Sequence, residues 1–170
     1  KSYFKDEDND LWQEIVEKII EFRPDWIGYT SYTANLSAIN VISKLVNKRI
    51  PKVIQVVGGV HATLDPDTLD KLPYINYAVQ REGEYAMLQL INGEDPVKIS
   101  GVTSRTPFGK QGGGDAEKIK NIDLLPFPDR DKLWGLDDAS KKEVDVSYIC
   151  SIRGCPYKCT FCNSPMHNTQ

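Results

Sequence analysis

Four cysteines, Cys150, Cys155, Cys159 and Cys162, crowd into the last twenty-one residues of this 170-residue chain, and none precedes them. A disulfide framework would tie distant segments together, whereas a tight local cluster is the pattern of a metal or redox site. Cys155, Cys159 and Cys162 follow a C-x3-C-x2-C spacing within Cys-Pro-Tyr-Lys-Cys-Thr-Phe-Cys. Thiolates are soft ligands suited to iron–sulfur clusters and to zinc. Three of them on one loop would hold three corners of a cubane cluster and leave the fourth iron open to a substrate. A structural zinc site needs four ligands, in paired C-x2-C or C-x4-C units. Only the Cys159/Cys162 pair has such a spacing, though His167 or Cys150 would complete a set of four. Gly154 and Pro156 shape the loop. Cys150 sits in an apolar strand pattern and reads as a small buried hydrophobe.

A second group of candidates lies at the ends of apolar runs. Residues 26–33 read as a strand ending in the hydroxyls of Thr30, Ser31 and Thr33. Residues 52–59 form a nearly continuous β-branched run that closes on Gly58-Gly59, suited to a strand buried on both faces. Residues 75–84 read as a third strand and its exit loop, Arg81-Glu82-Gly83-Glu84. Between them come helical stripes: 11–22, stopped by Pro24; Leu36 to Val46, ended by Pro51; a short helix over 65–72 with Pro66 in its first turn; and 85–91, ended by Asn92-Gly93. The order α, β, α, β, α, β, α means βαβ units and a parallel sheet. The expected fold is therefore α/β, a doubly wound, flavodoxin- or Rossmann-like sheet, with one or two strands missing from its N-terminal side. In such sheets ligands bind beyond the carboxyl ends of the strands, so the three loops should share one edge.

Past residue 94 the character changes. Residues 97–110 suggest a small hairpin, Gly112-Gly113-Gly114 a flexible turn, and Pro126 and Pro128 an extended connector. The triplet lacks the Lys-Ser/Thr of a phosphate loop. The division expected is an α/β domain over 1–94, a hairpin and Pro-rich linker over 95–142, and a new domain opening at 143–170 with a strand over 144–155. Both ends are abrupt, and the chain reads as an excised piece of a longer protein.

Composition narrows the classes. Charged residues make up 26% and apolar residues 40%, which is ordinary globular composition and excludes a disordered or collagen-like chain. A net charge of −3 leaves no electrostatic footprint for nucleic acid. No apolar run is long enough to span a membrane, and no charged-then-apolar leader opens the chain, so a cytoplasmic protein without a membrane partner is expected.

The cluster segment, Ser-Ile-Arg-Gly-Cys-Pro-Tyr-Lys-Cys-Thr-Phe-Cys, resembles the cluster loop of the radical S-adenosylmethionine enzymes. That resemblance implies a 4Fe–4S cluster on Cys155, Cys159 and Cys162, with Phe161 near the adenine of S-adenosylmethionine. It also implies reductive cleavage to a 5′-deoxyadenosyl radical, an external electron donor such as flavodoxin or ferredoxin, and a small-molecule substrate. Segment 143–170 would then be the first strand of a truncated α/β barrel. Residues 11–131 resemble the cobalamin-binding domain that precedes the radical domain in one large subfamily. This likeness rests on Thr30 to Thr33, Val57-Gly58-Gly59-Val60-His61-Ala62-Thr63, Arg81 to Glu84 and Leu125-Pro126-Phe127-Pro128. It implies cobalamin contacts from Ser31, Thr33, Gly58, Gly59, Val60, His61, Glu82, Gly83 and Glu84. The D-x-H-x-x-G pattern that supplies a cobalt ligand in some cobalamin domains is absent, so His61 is not read as one. Ser31 and Thr33 are equally read as caps of the next helix, and Gly58-Gly59 as a tight turn. Methyl transfer, cyclisation and rearrangement are the reactions the family would imply, with the excised piece alone inactive. A radical enzyme without cobalamin, and a flavodoxin-like binding module with a zinc-stabilised tail, are the alternatives.

Overall fold

A computed structural model of the chain describes residue 7, residues 9–129, and residues 153–155, 157 and 159–162. The chain divides into two compact units, Lys1–Glu117 and Lys118–Gln170. The first holds a five-stranded sheet in the order β1-β2-β3-β4-β5. Its strands are β1 (Trp26–Thr30), β2 (Ile54–Gly58), β3 (Tyr77–Val79), β4 (Val102–Thr106) and β5 (Gly109–Gly112). The helices are α1 (Asp10–Phe22), α2 (Leu36–Arg49), α3 (Val60–Leu64), α4 (Thr68–Lys71) and α5 (Glu84–Ile91).

β1, β2 and β3 run parallel, as the alternation of strands and helices requires. The side chains of β2 alternate between the two faces, and each face meets helices. On one face Val57 and Ala78 pack with Ile39 of α2 and with Leu69 and Leu72 around α4. The stripe of α1 closes over the same side, where Trp12 and Val16 meet Val41, Leu45 and Val46. On the other face Val56, Val79 and Val102 pack with Ala86 and Leu90 of α5. Burial of both faces explains the nearly continuous apolar run of β2. Its single polar residue, Gln55, is fully bonded. Its amide donates to the Ser43 and Tyr74 carbonyls, each at 3.1 Å, and its oxygen accepts from the Tyr29 hydroxyl at 2.7 Å. Burial pushes the Tyr29 phenol well above its ordinary range, so the hydroxyl remains a donor.

The sheet is mixed rather than purely parallel. The hairpin expected over 97–110 forms as β4 and β5, and β4 pairs antiparallel with β3. Register explains how it is held. Arg105 and Lys110 are cross-strand partners on the α2/α4 face. Arg105 donates to the Leu69, Leu72 and Ile75 carbonyls at the end of α4. Lys110 bonds Asp67 at 2.8 Å and Asp70 at 2.7 Å. Two like charges placed opposite each other would repel, and here each has its own partner on α4.

The glycine triplet is not a flexible turn. Gly112 ends β5, the Gly113 N–H donates to the Val102 carbonyl at 3.1 Å, and the Gly114 carbonyl accepts from Gly101 at 3.0 Å. A Cβ on Gly113 would lie 2.2 Å from the Ile99 carbonyl oxygen, so close backbone packing is what requires glycine there.

Element ends differ from expectation in small ways. β1 stops at Thr30: the Ser31 N–H makes the last ladder bond, to the Gly58 carbonyl at 2.7 Å, after which the Ser31 carbonyl accepts from the His61 N–H and Asn35 Nδ2 donates to the Thr30 carbonyl at 3.0 Å. The short helix expected over 65–72 is the single turn of α4, and α3 is an extra turn immediately after Gly59. In the second unit the prolines leave residues 125–129 without helix or strand. The expected strand over 144–155 lies almost wholly outside the described residues, and Cys150 and His167 lie outside them altogether. No helix among the described residues is long and apolar enough to cross a membrane.

Candidate functional site

The loops after β1, β2 and β3 meet at one edge of the sheet, and hydrogen bonds join them in sequence. Ser31 is fully buried. Its Oγ donates to the Gly58 carbonyl at 2.7 Å and accepts from the Ala62 N–H at 3.2 Å, and its carbonyl accepts from the His61 N–H at 3.0 Å. It joins the first loop to the second by taking first-turn N–H groups of α3, and it does not cap the next helix, α2. Thr33 is exposed, and its Oγ1 lies 3.0 Å from His61 Nδ1. The second loop reaches the third through Thr63, whose Oγ1 donates to the Gly59 carbonyl at 3.0 Å and accepts from the Arg81 N–H at 2.8 Å.

Gly58 and Gly59 have different reasons to be glycine. Gly59 has φ +93°, and a Cβ there would meet both Ser31 N and Ser31 O at 3.0 Å. Its requirement arises inside the protein, from the tight turn and the closeness of the first loop. A Cβ on Gly58 would meet only the Val79 carbonyl at 3.5 Å, an ordinary contact. Gly83 ends the third loop with negative φ, leading into α5. Glu82 is half-buried and Glu84 exposed on either side of it.

His61 is 8% exposed on the one-turn α3. Its Nε2 lies 3.1 Å from Asp65 Oδ2, without hydrogen-bond geometry among the described residues. Lys71 pairs with the same Asp65 oxygen and holds that carboxyl below its ordinary range. Thr63 and Arg81 belong to the two runs that carry the resemblance but have no role assigned from sequence, yet they join the second loop to the third. Arg81 carries a signal only the backbone shows, a φ of +57° in a non-glycine residue.

Around these polar groups the rim is apolar and exposed. Tyr32 on the first loop, Val60 on the second and Tyr85 in the first turn of α5 are 55%, 40% and 46% exposed. An apolar rim with an exposed hydroxyl among it suits a large ligand with flat apolar faces and a hydrogen-bonding fringe. Cobalamin is such a ligand, and the residues present fit it.

In the second unit Cys155 and Cys162 are half-buried and Cys159 is exposed, all three as free thiols. The Cys162 N–H donates to the Cys159 carbonyl at 3.1 Å, closing a turn between them. Phe161 is 90% exposed. The donor set suits a soft metal centre. Among the described residues, no group of three His, Cys, Asp or Glu side chains converges closely enough to hold a metal ion.

Known proteins resemble the chain along most of its length. It is 28% identical over 160 residues to the uncharacterized methyltransferase PH0819 of Pyrococcus horikoshii, covering 91% of this chain and 35% of that protein. It is 30% identical to the anaerobic magnesium-protoporphyrin IX monomethyl ester cyclase of Rubrivivax gelatinosus, covering 91% and 30%. It is 29% identical to the cobalamin-dependent radical SAM methyltransferase TokK of Streptomyces tokunonensis, covering 89% and 23%. The chain thus spans about a third or less of the length of these relatives. The fold is shared with the radical S-adenosylmethionine methyltransferase TsrM of Kitasatospora setae, solved with cobalamin and a [4Fe-4S] cluster bound. That match has a TM-score of 0.54 at 17% identity and covers 69% of this chain and 23% of TsrM. The B12 binding domain model matches residues 4–91, a stretch that carries β1 to β3 and all three edge loops. That stretch is more than half of the sequence, and the chain belongs to the B12-binding domain family.

Proposed function

We propose that this chain is the cobalamin-binding part and cluster loop of a radical S-adenosylmethionine enzyme. The observation that carries the reading is the edge where the loops after β1, β2 and β3 are joined by Ser31 and Thr63 beneath an exposed apolar rim. It lies within the stretch matched by the B12-binding family. Tyr32, Val60 and Tyr85 would meet the flat faces of the macrocycle. Thr33 would hydrogen-bond its fringe and Gly58, with no Cβ, would leave room for it, with Glu82 and Glu84 flanking the third loop. Ser31, His61, Gly59 and Gly83 would shape the loops.

On the second unit Cys155, Cys159 and Cys162 would hold a 4Fe–4S cluster, a role supported by their spacing and thiolate chemistry. Phe161 would offer an apolar face to the adenine of S-adenosylmethionine. The chemistry these groups supply when bound is reductive cleavage of S-adenosylmethionine and carriage of a methyl group. The chain's own work is to bind and orient them and to exclude water. A small-molecule substrate and an external electron donor such as flavodoxin or ferredoxin belong to the same proposal. Methyl transfer, cyclisation and rearrangement are the reaction classes open to it.

Two measurements test the reading. Titration with hydroxocobalamin should give saturable, equimolar binding, followed by its visible absorption. Anaerobic reconstitution with iron and sulfide should give a reduced-cluster paramagnetic signal that shifts on adding S-adenosylmethionine and vanishes when the three cysteines become Ala. No cobalamin binding to a folded chain sinks the first half. Equimolar zinc in place of the cluster sinks the second and favours the zinc-stabilised tail.

A further inference from the structure

Thr33 offers an exposed hydroxyl at the sheet edge, and its only side-chain hydrogen-bond partner among the described residues is His61 Nδ1, at 3.0 Å. A hydroxyl donates one proton and accepts twice, so what it presents outward depends on what the imidazole takes from it. The imidazole's other nitrogen settles that. Nε2 is buried and faces Asp65 Oδ2 at 3.1 Å. Asp65 also accepts from the Asp67 N–H at 3.0 Å and from Lys71 Nζ. Its partner Lys71 keeps the carboxyl ionised through the neutral range, and an ionised carboxylate only accepts. With an ionised carboxylate 3.1 Å from Nε2, the proton of a neutral imidazole is favoured on that nitrogen, and Nδ1 is left as an acceptor. Thr33 must then spend its proton inward, and only its lone pairs face out.

We propose that His61 is a positioning residue that sets the polarity of Thr33, so that this part of the edge selects hydrogen-bond donors. On the cobalamin reading, on which the ligand half of this inference rests, the groups selected are carboxamide N–H donors on the fringe of the macrocycle. The arrangement acts at a distance: Lys71 and Asp65, on and before α4, decide what Thr33 on the first loop offers.

The test uses the full 170-residue chain labelled with 15N. The sequence has two histidines, so His167→Gln leaves the His61 ring signals alone in long-range 1H–15N spectra. The expected result is the Nε2–H tautomer in the wild-type chain, relaxing toward a mixture in Asp65→Ala. An Nδ1–H tautomer, or a ring indifferent to Asp65→Ala in a folded protein, overturns the proposal. The second arm is hydroxocobalamin affinity. Thr33→Val keeps the shape, removes the acceptor and should weaken binding about tenfold, while Thr33→Ser should restore it. Thr33 is exposed, so neither variant threatens the fold. Cobalamin bound equally well by wild type and Thr33→Val overturns the proposal, even with the tautomer as expected. No binding by the wild-type chain with the Nε2–H tautomer in place instead refutes the cobalamin reading and the ligand assigned to Thr33.

Discussion

Gly59 and Gln55 show how single residues serve the edge and the sheet beneath it. Gly59→Ala places a Cβ against the Ser31 backbone and asks for a positive φ. It should cost about 1–3 kcal/mol in urea unfolding, and cobalamin affinity should fall because the first two loops separate. Gln55→Leu leaves the Tyr29 hydroxyl and the Ser43 and Tyr74 carbonyls without their partner. A loss of about 1–3 kcal/mol is expected from denaturant midpoints, although leucine is the more apolar residue. Asp65 gives the pH dependence. Its folded-state carboxyl is held down, first of all by its hydrogen bond to Lys71. The stability it contributes is therefore present above the ordinary carboxylate pKa and is lost as the pH falls through the depressed value. Lys71 is 54% exposed, so the pair contributes under about 1 kcal/mol. Wild type and Lys71→Met should differ by that amount near neutrality and converge in acid, as read from urea midpoints across the carboxylate range.

At the scale of elements, the β4–β5 hairpin is fastened by two side chains. β4 adds to the sheet through β3, which is three residues long and gives little pairing of its own. Arg105 and Lys110 reach instead to α4, itself a single turn whose carbonyls need donors. Arg105→Ala should therefore speed amide exchange in both hairpin strands and at the end of α4, while α1 and α2 keep their protection. A cost of about 1–2 kcal/mol is expected in unfolding. A hairpin was legible in the sequence, though its strands lie at 102–106 and 109–112, a few residues later than the 97–110 expected. Their place in the sheet was not, because the pairing that decides it joins Ala78 to Thr103, and nothing local to either residue signals the other. α3 was missed for a different reason: one turn is too short for an apolar stripe to show.

For the whole molecule, the three hydrophobic clusters and all three edge loops lie within Lys1–Glu117, and the cluster cysteines lie within Lys118–Gln170. Every residue of the three described clusters comes from the first unit. A chain ending at residue 117 should keep its circular dichroism and a similar melting temperature. On the proposed function it should also keep hydroxocobalamin binding and lose reconstituted iron. Loss of fold in that shortened chain would mean that the second unit contributes to the core.

The sequence by itself determined the alternation of strands and helices, because periodic apolar residues reveal which side of each element is buried. It also determined the three-thiol spacing, and that the loops after the parallel strands share one edge, because parallel strands all end on the same side. The tertiary structure alone decided what the residues on that edge do. Ser31 and Thr33 are two positions apart and look alike as hydroxyls, yet one is buried between Gly58 and Ala62 and the other is exposed beside His61. The two neighbouring glycines likewise differ only in what lies opposite a missing Cβ. Such roles depend on atoms about thirty residues away in the chain. Only the closing of the sheet brings those atoms within hydrogen-bond distance, and no pattern of neighbours along the sequence records it.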